Sequence, residues 1–100
     1  MLDLGPKTIY VTQEDIHQGV CKDKESCAIA LALADEYKEQ IDYVEVSSFD
    51  SIKMSGKNDM WYRIELCEDD EFKVQTFIDN FDDGKQVQPI SFRIDEIEEY

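Results

Sequence analysis

Hydrophobic and polar positions divide the chain into strand-like and helix-like stretches. Thr8-Ile9-Tyr10-Val11 is β-branched and aromatic, the composition of a short strand. Thr12-Gln13-Glu14-Asp15 places an N-cap hydroxyl three residues before a carboxylate, the pattern of a capping box with acids in the first turn. The helix it opens is short, because Gly19 falls where a left-handed C-terminal residue is expected. Residues 20–26 form a polar connection, with Ser26 as the expected cap of a second helix. Cys27-Ala-Ile-Ala-Leu-Ala-Leu-Ala34, continued by Asp35 to Gln40, has high helix propensity and is apolar nearly all round its first two turns. That pattern predicts a buried central helix whose small alanines let a sheet approach closely, with a charged second half running into solvent.

Alternation returns in Tyr43–Val46 and Ser51–Met54, and residues 55–59 supply a turn. The next strand, Met60–Leu66, sets Met60, Tyr62, Ile64 and Leu66 on a core face. Trp61, Arg63, Glu65 and Cys67 take the other face, which makes Trp61 a candidate surface aromatic. Val74, Phe77, Ile78 and Phe81 recur at i, i+3, i+4, i+7 behind the acidic start Glu68-Asp69-Asp70-Glu71, predicting an amphipathic helix closed by Asp82-Asp83-Gly84. Val87 to Ile94 alternates, and Pro89 favours an edge position or a strand start. Residues 95–100 are expected to be a frayed acidic end. The order β-α-α-β-β-β-α-β predicts one α+β domain over residues 1–100, a mostly antiparallel sheet of four to five strands packed by the central helix and the second amphipathic helix.

Charge narrows the function. Asp and Glu number 24 against 10 Lys and Arg in 100 residues, a net −14. Each half of the chain carries −7, so the acid is no tail on a neutral body. Direct contact with nucleic-acid phosphate would be repulsive, and a basic protein is the natural partner. The N-terminal residues lack the basic start and apolar run of a secretory signal. The longest apolar run, Cys27 to Ala34, is far short of the roughly 20 residues that span a bilayer. The three cysteines fit a reducing cytoplasm, where thiols stay free or bind metal.

Nothing in the residues points to catalysis. There is one histidine, and the phosphate-cradling glycine loops, the nucleophile elbow and the H-E-x-x-H pair are all missing. Paired carboxylates arise from composition alone, so the expectation is a non-enzymatic protein. One compact set could hold zinc: His17, Cys21 and Cys27, with Cys67 or Asp23 completing four ligands and the helix dipole favouring a thiolate at Cys27. The plainer reading of the same residues is a solvated His17, a loop thiol at Cys21 and a small core residue at Cys27. Calcium is disfavoured because neither acidic run alternates as a calcium loop requires. The acidic clusters likewise read either as a solvated surface or as carboxylates presented to a basic groove. In the second reading Asp69, Asp70, Glu71, Asp79, Asp82 and Asp83 are the contact residues, with Trp61 among the aromatic anchors.

Ile9-Tyr-Val-Thr-Gln-Glu-Asp-Ile16, His17-Gln-Gly19 and Ser26-Cys-Ala-Ile-Ala-Leu-Ala-Leu33 resemble small bacteriophage and prophage proteins. In those proteins a strand, a short T-x-x-D/H-I-x-x-G helix and a C-P-I-A-L-A helix follow one another; here Ala28 replaces the frequent proline. Phe77-Ile-Asp-Asn-Phe81-Asp-Asp-Gly84 with Val87-x-Pro89-x-x-Phe92 is similar to the ending of the same group. Size, acidity and phage-like character also resemble anti-CRISPR proteins, some of which block Cas9. The resemblance implies a phage-encoded inhibitor, acting in the bacterial cytoplasm, that binds a basic host effector such as Cas9 and prevents nucleic-acid loading or recognition. The alternative is a small phage structural or accessory protein held together by zinc.

Overall fold

In the computed structural model, which describes residues 5–57 and 59–99, the chain is a five-stranded antiparallel sheet curled around one helix. The elements are β1 Lys7–Val11, α1 Gln13–Gln18, α2 Ala28–Glu36, β2 Ile41–Ser48, β3 Ser51–Gly56, β4 Trp61–Leu66, α3 Glu68–Asp82 and β5 Ile90–Glu99. This is the predicted order. The strands are arranged β1-β5-β4-β3-β2, so β1 and β2 are the edges.

α2 explains the curl. Ala28, Ile29, Ala30, Ala32 and Leu33 are buried, so most of its circumference must be covered, and a flat sheet covers only one side. The sheet instead bends until both edge strands pack on α2. β5 makes the bend possible. Its first half pairs with β1 (Lys7↔Ile94 to Val11↔Ile90) and its second half with β4 (Leu66↔Ile94 to Tyr62↔Glu99). A register irregularity sits where it changes partners, and such bulges bend and twist a strand. β2 carries two further register shifts at the opposite edge.

Several local expectations are corrected. Residues 95–99 are not frayed: they extend β5, and Ile97 is buried there against the core. The acids on either side of it, Asp95, Glu96, Glu98 and Glu99, are all exposed, which masked a strand as a charged tail; Tyr100 lies outside the described residues. Helix α2 begins one residue later than a Ser26 cap would give, because Cys27 is the N-cap and its Sγ accepts from the Ala30 N–H at 3.5 Å. It also ends at Glu36 rather than Gln40, since Tyr37 turns into the core and its carbonyl accepts from the N–H groups of Gln40 and Ile41. Pro89, expected at an edge or a strand start, directly precedes β5 and so marks its start.

Gly19 is the fourth correction. Its φ is −68°, ordinary extended backbone, so it is no left-handed cap. It is needed for proximity: a Cβ there would lie 2.8 Å from the Ala28 backbone N, 2.8 Å from Phe81 Cζ and 3.0 Å from the Asp15 carbonyl. The glycine lets the end of α1, the start of α2 and the end of α3 meet. Gly19→Ala is therefore expected to lower the unfolding free energy by about 1–3 kcal/mol, measured by urea denaturation. Unchanged stability would mean that this three-helix contact is loose.

Candidate functional site

Helix α3 follows from its sequence in three steps. Glu68, Asp69, Asp70 and Glu71 occupy its first turn, where the free N–H groups favour anions. Val74, Phe77, Ile78 and Phe81 form the buried stripe, and the rings of Phe77 and Phe81 stack at 6.0 Å. The C-terminus closes by a left-handed Gly84 (φ +76°), with the Gly84 N–H donating to the Phe81 carbonyl and the Lys85 N–H to the Asn80 carbonyl.

Helical spacing then separates the six acidic candidates. Asp70 turns inward: its carboxylate accepts from the Arg93 N–H at 2.8 Å and pairs with Lys73 at 3.3 Å. It thereby extends the β5 hydrogen bonding beyond the end of β4, next to the Cys67 N–H that donates to the Arg93 carbonyl. The Arg93 N–H, helped by Lys73, holds the Asp70 carboxyl below its ordinary range. Asp82 also works inside the fold, accepting from the N–H of Lys22, whose φ of +63° marks a tightly turned loop. Glu71 is half-buried at the margin.

Asp69, Asp79 and Asp83 are exposed and share the outer face of α3 with Glu68. At its centre is Phe72, 83 % exposed, which sequence reading missed. The signal was available: Phe72 falls off the i, i+3, i+4 stripe of a helix already supplied with four core residues. Beside it runs a groove of about 310 Å³ whose lining includes Phe72, Lys73, Thr76, Asn80, Val87 and Ile90 and no carboxylate. Phe72 is thus a large apolar ring held in solvent, with Glu68 and Asp69 one turn before it on the same face. Trp61 is not part of it. It stands on the convex side of the sheet with its ring against Tyr43 (5.8 Å, edge-on), while α3 packs from the concave side. Tyr43 donates to Glu45 at 2.9 Å, and that bond pushes the phenol up to about 12.

The sulfur and imidazole donors are spread over separate elements. His17 is exposed on α1 and Cys21 is exposed in the loop. Cys27 is buried as the cap of α2, and Cys67 is the half-buried N-cap residue of α3. Burial pushes the Cys27 thiol up, against the thiolate that zinc needs. Asp23 is occupied in its own loop, accepting from the N–H groups of Glu25 and Ser26. Among the described residues, the one group offering three ligand atoms within 4.8 Å of one another is Glu65, Glu96 and Glu98 on the convex face. They meet because the β4–β5 register sets Glu65 opposite Glu96, information that spacing along the chain does not carry.

Comparison with protein-family models, with curated proteins and with solved structures finds no match to the chain. Among the described residues, no helix is long and apolar enough to cross a membrane.

Asp70→Ala is expected to cost about 1 kcal/mol, because the bond is partly solvated. The sign with pH follows from the lowered carboxyl. Its stabilisation is complete above the unfolded-state value of about 3.9 and is lost as pH falls through the folded value. Denaturant unfolding from pH 7 to pH 2 should show the wild-type advantage shrinking below about pH 4. A pH-independent difference would remove the carboxylate from the explanation.

Proposed function

We propose that the protein is a non-enzymatic inhibitor that uses the outer face of α3 to occupy a basic, nucleic-acid-binding surface of another protein. The observation that carries this reading is the acid at the wrong end of the helix. Asp79, Asp82 and Asp83 crowd the C-terminal end of α3, where the backbone carbonyls are already negative and no basic residue lies in the last turn. Folding favours lysine or arginine there. Asp82 is accounted for by the Lys22 N–H; Asp79 stays exposed while accepting from Gln75 Nε2 at 2.9 Å, and Asp83 is exposed at the helix end, about two and three turns beyond Phe72 respectively. Charges kept where they oppose folding are the kind a binding surface retains.

The arrangement suits a partner with lysines or arginines around an apolar recess. Carboxylates at both ends of the helix steer a cationic groove, and Phe72 enters the recess as the desolvated anchor. Bacteriophage origin and an RNA-guided nuclease such as Cas9 as partner remain the specific form of this proposal, since the channels of such effectors are strongly positive. Localisation in the bacterial cytoplasm follows from that partner.

The test is binding to a guide-free Cas9-type effector by titration calorimetry between about 50 and 300 mM NaCl, over which the Debye length falls from about 14 to about 6 Å. The wild type should weaken steeply with salt. The variant Phe72→Ser, Asp79→Asn, Asp83→Asn should bind at least roughly tenfold more weakly and with a shallower salt dependence. Equal affinities for the two proteins would overturn the assignment to α3.

A further inference from the structure

We infer that the open edge of β1 is a strand-addition site for a basic, extended segment of a partner protein. The two edges of the sheet are treated differently by the fold. Along β2, the loop before α2 covers the edge: the Val46 N–H donates to the Lys24 carbonyl at 2.8 Å, and the Lys24 ammonium pairs with Glu45 at 3.5 Å. β1 has β5 on one side, and on its other side lies a groove of about 670 Å³ between the strand, α1 and α2. An antiparallel strand sends alternate N–H and C=O groups to each side, so those of Thr8 and Tyr10 point away from β5, and Tyr10 lines the groove.

The groove is shaped for a polypeptide rather than a compact ligand. Its floor is Ile9 with the small side chains Ala32 and Ala34, which leave room for a backbone to lie beside β1. Its helical wall carries Glu14, Asp15, Asp35 and Glu36, no lysine or arginine is among its lining residues, and Glu36 also pairs with Lys7. An incoming strand could place apolar side chains over Leu31 and Ala34 while lysines or arginines reach this rim. The same acids argue against a second copy of the chain, because two molecules of net −14 would bring like charges together along the shared edge. Strand addition supplies affinity through the main chain and specificity through alternate side chains. The surface shares no residue with the outer face of α3, so its test is independent of that reading.

The probe is an acetylated, amidated heptapeptide, Lys-Val-Thr-Val-Arg-Val-Lys, and its control is the same sequence with alternate amides N-methylated, which keeps the charge and removes the pairing. Both are titrated into the full chain at low salt while backbone amides are followed by NMR. The proposal expects the unmodified peptide to shift Thr8 to Val11, and the methylated one to bind at least roughly tenfold more weakly. Glu14→Gln with Asp35→Asn should weaken the unmodified peptide, and Phe72→Ser should leave it unchanged. Equal binding of the two peptides would mean attraction by charge alone and would overturn the proposal. So would shifts confined to α3, or a dimer formed through β1 in sedimentation without peptide.

Discussion

Burial of α2 is the constraint on which the rest of the molecule depends. A helix reading Ala-Ile-Ala-Leu-Ala-Leu-Ala has almost no polar side to leave in water, and its fully buried Ile29 and Leu33 each contribute about 2 kcal/mol. An exposed ion pair contributes about 0–1 kcal/mol, so no arrangement of surface charge competes with wrapping this helix. The curled sheet, the bulge in β5, the close approach at Gly19 and the inward turn of Tyr37 all serve that wrapping.

The same constraint sorts the charge. No charged side chain is buried among the described residues, so the acids lie on the convex face, along α3 and at the rim of the β1 groove. A few are drawn into the architecture as acceptors for main-chain N–H groups that the sheet and loops leave open: Asp70 for Arg93, Asp82 for Lys22, Asp23 for its own turn. These carboxylates stand in for missing strands and turns. Others make shorter-range contacts at the surface, Asp15 in the capping box of α1, Glu45 with Tyr43 and Lys24, Glu36 with Lys7, and Asp79 with Gln75.

The order of elements was readable because each carries a strong periodic signal: the 74-77-78-81 stripe, the alternation of Met60–Leu66 and the Thr12–Asp15 box all hold in the structure. What escaped reading is tertiary. The acidic residues 95–99 look like a tail until β4 is placed beside them, and the proximity that demands glycine at position 19 involves Ala28 and Phe81, distant in the chain. The candidate site was half legible. Its helix and its acids could be named, but Asp70 and Asp82 face partners 23 and 60 residues away, which spacing along the helix cannot reveal.

The account therefore rests on a division between acids that build the fold and acids that cost it. The most direct measurement is the thermal midpoint of the double variant Asp79→Asn, Asp83→Asn at low salt, compared with the wild type. Removing two carboxylates from the negative end of α3 should leave the midpoint unchanged or raise it, by about 0.3–1 kcal/mol of stability for each charge. A clear fall would show that these residues support the helix, and would contradict the claim that the outer face of α3 is held for a partner.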